Sequence, residues 1–162
     1  MLNKERQEEV VELCQHLIQK QSYSGHEDGV AGVLEEQLKK KGFDSVTVDK
    51  YGNVIGCIKG NRPGKKILFD GHIDTVPVTD ETEWQYPPFA AEIHDGKIYG
   101  RGTSDMKGAV AGFVTAAAAF AEDTKKDFAG EIYVAGVVHE ECFEGVAARE
   151  ISNFVKPDYV VI

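Results

Sequence analysis

The chain has 162 residues, of which 42% are hydrophobic and 28% charged, and its formal net charge is −9. These values predict one soluble globular domain, and an acidic balance without a basic block excludes a nucleic-acid backbone as the main partner. No apolar run is long enough for a membrane span and no signal-peptide pattern is present, so no membrane partner is expected. Three widely spaced cysteines are typical of free thiols in a reducing compartment, which predicts a cytoplasmic protein.

The first half of the chain alternates helical and strand patterns. Apolar residues recur at helical spacing over residues 4–20 and 26–41. For the second helix we expect Ser24 as the N-cap, Glu27 three residues later as in a capping box, and Gly42 just after the last turn. Strands are predicted at residues 46–48, 53–58 and 66–70.

The second half continues the alternation after a polar loop at residues 79–89. Asp95-Gly96 predicts a two-residue hairpin turn. The remaining predicted elements are a helix at 107–122, a strand at 131–139, a helix at 145–154 and a strand at 158–162. This order predicts an α/β fold with a mixed, largely parallel sheet flanked by helices.

The last predicted strand, Tyr159 to Ile162, is a continuous apolar run that reaches the final residue. A core strand normally leads into a loop and a further element, so the chain is expected to be part of a longer protein. The alternative is a small natural domain whose last strand closes its sheet.

A first polar cluster lies where the strand at 66–70 gives way to a loop. His72 and Asp74 are two residues apart, and side chains at that spacing project to the same side of a strand. Open α/β sheets bind ligands beyond the carboxyl ends of their strands. The pair therefore has the pattern of a metal ligand and the partner that orients it, although two polar residues near a turn would be an equally good interpretation by themselves.

A second cluster, Gly100 to Gly108, precedes the helix at 107–122. Gly100 and Gly102 begin a Gly-x-Gly pattern, but Asp105 stands where a phosphate-binding loop would have a third glycine. A carboxylate there would repel phosphate, so nucleotide binding is disfavoured. Asp105 is either a positioned anion or simply a helix cap.

A third cluster, His139-Glu140-Glu141, follows the strand at 131–139. Adjacent carboxylates at a strand end would point to opposite sides, so one could bind a metal while the other faces a water. The alternative is an ordinary solvated acidic turn.

The three clusters gain meaning when they are considered together. Each follows a strand or precedes a helix, so one end of the sheet could bring His72, Asp105 and Glu141 together. An imidazole with hard carboxylates suits zinc, manganese or cobalt. A carboxylate can also bridge two metals, as in two-metal hydrolases.

The sequences Gly71-His72-Ile73-Asp74-Thr75-Val76-Pro77, Gly100-Arg101-Gly102-Thr103-Ser104-Asp105-Met106-Lys107-Gly108 and Glu140-Glu141 resemble motifs of the dinuclear zinc amidohydrolases and peptidases. That family includes acetylornithine deacetylase, succinyl-diaminopimelate desuccinylase, aminoacylase and glutamate carboxypeptidase. The segment from Tyr51 to Gly56 also fits the family pattern, so the resemblance extends over essentially the whole chain.

The resemblance implies a role for each residue of the motifs. His72 would bind the first zinc, Asp105 would bridge two zinc ions, and Glu141 would bind the second. Glu140 would be the general base, and Asp74 would orient the His72 ring. The resemblance also implies a cis peptide bond after Asp105.

Length is where this sequence departs from the family, whose members are more than twice as long. Residues 1–162 would be the N-terminal portion of the catalytic domain, without the lid and dimerisation domain and without the C-terminal catalytic portion that carries two further ligands. The remaining histidines, His16, His26, His94 and His139, are better interpreted as surface or packed residues than as substitutes for those ligands.

The predicted function is therefore metal-dependent hydrolysis of amide bonds in a small peptide or an N-acyl amino acid, by a protein that forms a homo-oligomer. The 162-residue chain by itself is expected to be inactive. A binding or scaffold domain that keeps the fold without catalysis is the alternative.

Overall fold

The computed structural model describes residues 3–143 and 145–162 of the chain. Its helices are α1 (Lys4–Gln19), α2 (Asp28–Lys40), α3 (Gly108–Thr124), α4 (Glu140–Phe143) and α5 (Val146–Val155). Its strands are β1 (Ser45–Val48), β2 (Val54–Lys59), β3 (Arg62–His72), β4 (Glu92–His94), β5 (Lys97–Tyr99), β6 (Ala129–Val137) and β7 (Tyr159–Val161). No helix among these residues is long and apolar enough to cross a membrane.

The central feature is a five-stranded sheet with the order β1-β2-β6-β3-β7. The strand β2 is antiparallel to both of its neighbours, whereas β3 is parallel to β6 and to β7. Four strands therefore run in one direction, which confirms the predicted mixed, largely parallel sheet. The helices α2, α3 and α5 pack against this sheet, and α1 packs against α2 and α3.

The predicted helices form because their apolar faces have a core to cover. Four residues of α1 at helical spacing, Leu13, Cys14, Leu17 and Ile18, are each at most 3% exposed. The glycine expected after α2 is also confirmed, because Gly42 has a φ of +76° and follows the last turn of that helix. The Asp95-Gly96 turn joins β4 to β5 as predicted.

The predicted capping box of α2 does not form. The helix begins at Asp28, and its N-cap is Glu27, whose side chain makes no capping hydrogen bond. The Ser24 hydroxyl instead donates to Asp74, and the Glu27 carboxylate accepts the His139 backbone N–H. Tertiary partners have displaced the local capping pattern at both residues.

The third strand is longer than predicted, because it begins at Arg62 and not at Lys66. Its register against β6 shifts between Arg62 and Lys66, so a bulge lets the strand continue past Pro63 and Gly64. The bulge depends on Gly130 of β6, which has a φ of +95°. An added Cβ at Gly130 would lie 2.0 Å from the Lys65 carbonyl oxygen.

Gly130→Ala is expected to destabilise the fold, since backbone atoms of β3 occupy the space that the methyl group needs. Backbone strain at a positive φ costs about 1–3 kcal/mol before the clash is counted. Gly112→Ala in α3 is the matched control, because an added Cβ there meets nothing within 4 Å, and alanine should stabilise a helix interior by about 0.5–1 kcal/mol. In urea unfolding, the midpoint concentration should fall for Gly130→Ala and rise for Gly112→Ala. An unchanged midpoint for Gly130→Ala would contradict this account of the bulge.

Candidate metal centre

The sheet brings the three predicted clusters to one edge. Because β3 and β6 are parallel with His72 opposite Val137, the two strands end side by side. His72 is the last residue of β3, and Glu140 and Glu141 begin α4 just after β6. Asp105 lies in an irregular turn, Thr103–Lys107, that leads into α3. The peptide bond between Asp105 and Met106 is cis, as the resemblance implied.

The side chains of His72, Asp105 and Glu141 converge at this edge. Each offers one ligand atom, and these atoms all lie within 4.8 Å of one another. Within this cluster, His72 Nε2 and Asp105 Oδ1 are 2.9 Å apart. His72 is buried, whereas the Asp105 side chain is 77% exposed, so the cluster opens to solvent on one side. One imidazole with two carboxylates is a donor set that fits zinc, manganese or cobalt.

The His72 ring is held by its other nitrogen. Nδ1 lies 3.0 Å from the backbone carbonyl oxygen of Asp74 and 3.6 Å from the Asp74 carboxylate. A carbonyl oxygen can only accept, so Nδ1–H donates to it, and Nε2 points toward Asp105. The acceptor that orients this ring is therefore the Asp74 backbone carbonyl, and the Asp74 carboxylate lies slightly farther away.

Burial and charge act in opposite directions on His72. Burial disfavours the charged ring, but interactions with the Asp74 and Asp105 carboxylates outweigh it and raise the pKa of His72 to about 9. The same negative surroundings that favour a proton on this ring would favour a bound cation.

The Asp74 carboxylate is fully buried and joins two segments of the site. It accepts hydrogen bonds from the Ser24 hydroxyl at 2.6 Å and from the backbone N–H groups of Glu140 and Glu141, both at 3.1 Å. Burial raises the pKa of Asp74, but the interaction with His72 and these hydrogen bonds outweigh it and hold that pKa below its usual range. Asp74 thus satisfies the free N–H groups at the start of α4, a role that the sequence did not predict.

The position of Glu140 and Glu141 differs from the prediction. The strand β6 ends at Val137, and both glutamates lie in the first turn of α4, not on opposite sides of a strand end. Glu140 Oε2 is 3.9 Å from His72 Nε2, and the Glu140 side chain is 49% exposed. Burial raises the pKa of Glu141, and the neighbouring carboxylates of Asp105, Glu140 and Asp74 raise it further. The nearby His72 lowers this pKa but does not cancel the rise.

Two further polar residues near the centre were missed because their partners are distant in sequence. Lys107 is fully buried, and its ammonium donates to the carbonyl oxygens of Leu17 and Lys20 at the end of α1. Burial lowers the pKa of Lys107 to about 8. Asn53 is also buried. Its side-chain oxygen accepts the backbone N–H of Val138, just before the two glutamates, and its side-chain nitrogen donates to the Ala147 carbonyl oxygen of α5.

The other histidines lie outside the cluster that the described residues form around His72. His16 and His26 are exposed, and His94 stacks on Tyr86 in a small aromatic group beside β4 and β5. Cys14, Cys57 and Cys142 are free thiols, as predicted.

Comparison with known proteins agrees with the motifs. Residues 68–162 match peptidase family M20/M25/M40. The chain is 33% identical to succinyl-diaminopimelate desuccinylase 2 of Ruegeria sp. (strain TM1040), over 94% of the chain and 40% of that protein. It is 39% identical to succinyl-diaminopimelate desuccinylase of Beijerinckia indica, over 77% of the chain and 34% of that protein.

A solved structure shows the same fold. The M20 family metallo-carboxypeptidase Sso-CP2 from Sulfolobus solfataricus superposes with a TM-score of 0.82 and 26% identity, over 94% of the chain and 36% of that protein. The chain thus spans about 40% or less of the length of these relatives. The chain belongs to peptidase family M20/M25/M40.

Proposed function

We propose that the protein containing this chain is a metal-dependent hydrolase of amide bonds. The observation that carries the proposal is the convergence of ligand atoms from His72, Asp105 and Glu141 within 4.8 Å, beside the carboxylate of Glu140. Family membership and the relatives, desuccinylases and a metallo-carboxypeptidase, support it.

Each residue of the centre has a proposed role. His72 and Glu141 would each bind one of two metal ions, and Asp105 would bind both. Bound metal ions would polarise the amide carbonyl and make water a stronger nucleophile at neutral pH. Glu140 would accept a proton from the attacking water and donate it to the leaving amine. Asp74 would hold the His72 ring and the glutamate turn in place.

Zinc is the proposed metal, with cobalt or manganese as alternatives that suit the same donors. The residues described here provide too few ligands for two complete zinc sites, which normally have three or four protein ligands each. We therefore propose that residues 1–162 are the N-terminal portion of a catalytic domain whose remaining ligands lie outside this chain. The 162-residue chain should accordingly lack amidase activity.

The proposed substrate is a small peptide or an N-acyl amino acid. The names of the relatives support both substrate classes. The desuccinylases are named for acting on succinyl-diaminopimelate, an N-acyl amino acid, and Sso-CP2 is named a metallo-carboxypeptidase. A reducing, cytoplasmic location is supported by the free thiols. A scaffold domain without catalysis would keep the fold but would not need four carboxylates around one buried imidazole.

The test is a hydrolysis assay on the full-length protein with N-succinyl and N-acetyl amino acids and dipeptides. We expect activity that chelation abolishes and that zinc, cobalt or manganese restores. Absence of hydrolysis across these substrates with metal bound would favour the scaffold alternative.

The 162-residue chain is expected to self-associate through β7. This strand pairs only with β3 among the described residues, and Tyr159 and Val160 on it are 60% and 46% exposed. Phe154 of α5 is a further exposed apolar side chain, at 59%. Unpaired strand edges and apolar patches favour association with another chain. Sedimentation should show dimers or larger species at micromolar concentration, and Val160→Lys should shift them toward monomer; a wild-type monomer throughout would contradict this.

A further inference from the structure

Residues 22–27, which belong to the loop between α1 and α2, make several hydrogen bonds to the segments that form the candidate metal centre. The Ser22 hydroxyl donates to the Ile73 carbonyl oxygen at 2.7 Å, and the Ser22 carbonyl accepts the Thr75 N–H at 2.9 Å. The Ser24 hydroxyl reaches the Asp74 carboxylate at 2.6 Å. These contacts tie the segment that carries Asp74 to the loop.

The last contact of this loop is made with the segment that carries Glu140 and Glu141. Glu27 is only 6% exposed, and its Oε1 accepts the His139 backbone N–H at 3.0 Å. The His139 ring nitrogen Nδ1 lies 3.3 Å from the same oxygen but without hydrogen-bonding geometry. The backbone N–H is therefore what Glu27 holds.

His139 occupies a conformation that needs such support. Its φ is +59°, in the left-handed region that residues with a side chain rarely adopt. This residue turns the chain from the end of β6 into α4, so its backbone angles determine where Glu140 and Glu141 point. A strained turn persists only where its surroundings enforce it.

We propose that Glu27 is a positioning residue for the Glu140–Glu141 turn. The proposal rests on the proposed function, since it assigns Glu140 as the base and Glu141 as a metal ligand. Glu27 and Asp74 accept three successive backbone N–H groups, those of His139, Glu140 and Glu141, and so fix the start of α4. Glu27 is not one of the three converging ligand residues, and its hydrogen bond goes to the backbone of His139, so it would act through the backbone.

Loss of Glu27 should therefore weaken the centre without removing a ligand. Glu27→Ala leaves the His139 N–H without its acceptor, and both glutamates become free to move. Changes in groups that orient metal ligands typically cost about 10–100-fold in metal affinity or activity. Glu27→Gln retains an oxygen acceptor, so it should stay close to wild type.

The first measurement uses the metal-free 162-residue chain. In Glu27→Ala, amide hydrogen exchange should be faster at His139, Glu140 and Glu141 and unchanged at the amides of β2. In Glu27→Gln, the same three amides should keep the protection they have in wild type. Glu36→Ala is the matched control, because it removes an exposed glutamate of α2, the helix that begins just after Glu27. Unchanged protection at these three amides in Glu27→Ala, or an equal loss across β2, would overturn the positioning role.

The second measurement uses the full-length protein with cobalt bound. Glu27→Ala should lower kcat about 10–100-fold with little change in KM, and should alter the visible absorption spectrum of the bound cobalt. Glu27→Gln should have the kcat and the cobalt absorption spectrum of wild type. If wild type neither binds cobalt nor hydrolyses substrate, the proposed function fails while the exchange result still decides the positioning role. If wild type is active and Glu27→Ala matches it in kcat and spectrum, the positioning role fails alone.

Discussion

Glu140→Gln in the full-length protein is expected to abolish turnover while the protein keeps its metal. Glutamine has the shape of glutamate but cannot accept the proton of the attacking water, and loss of a general base typically costs about 10²–10⁴-fold in rate. Because Glu140 is not one of the three converging ligand residues, the metal content should stay at the wild-type value. Steady-state kinetics and metal analysis of the same preparation measure both quantities.

Glu141→Gln is the matched variant one residue away, and its expected result differs. Glu141 contributes one of the converging ligand atoms, so an amide in its place should lose metal from one of the two positions. The assignment is wrong if both variants keep full metal and Glu140→Gln turns over at the normal rate. If the two results are exchanged, the roles of the two glutamates are reversed.

Asp74→Ala is expected to damage both the fold and the centre. The substitution removes the acceptor of the Ser24 hydroxyl and of two backbone N–H groups of α4 in a fully buried position. Removing one partner of a buried charged network costs about 3–5 kcal/mol, and the free energy of unfolding should fall by that amount in urea titrations.

Asp74→Asn provides the graded control for this carboxylate. Asparagine keeps one oxygen acceptor, but its amide nitrogen would face a donor and leave one backbone N–H unpaired. Its loss of stability should lie between those of wild type and Asp74→Ala. An Asp74→Ala variant as stable as wild type would show that the buried carboxylate contributes nothing to holding α4.

Local patterns in the sequence predicted the elements whose determinants are close together. The periodic apolar faces of α1 and α2, the Asp95-Gly96 turn and the glycine after α2 need only neighbouring residues, and the structure has all of them. The parallel arrangement of β3 and β6 followed from the alternation of strands and helices. It is this arrangement that brings His72 near Glu141.

Features that depend on distant partners could not be predicted in this way. Ser24 and Glu27 have the spacing of a capping box, yet their hydrogen bonds go to Asp74 and His139, which are far away in sequence. The short helix α4 has too few residues for a periodic pattern, and it forms where the buried carboxylate of Asp74 accepts two of its N–H groups. The burial of Lys107 likewise depends on carbonyl groups of α1.

The central claim, that His72, Asp105 and Glu141 form part of a metal centre, is tested most directly by calorimetric titration of zinc into the 162-residue chain. We expect weak or partial binding, because the described residues complete neither of two sites, and we expect that binding to disappear in Asp105→Ala, which removes the proposed shared ligand. Zinc binding that is unchanged in Asp105→Ala, or two tight sites in the wild-type chain, would contradict the account.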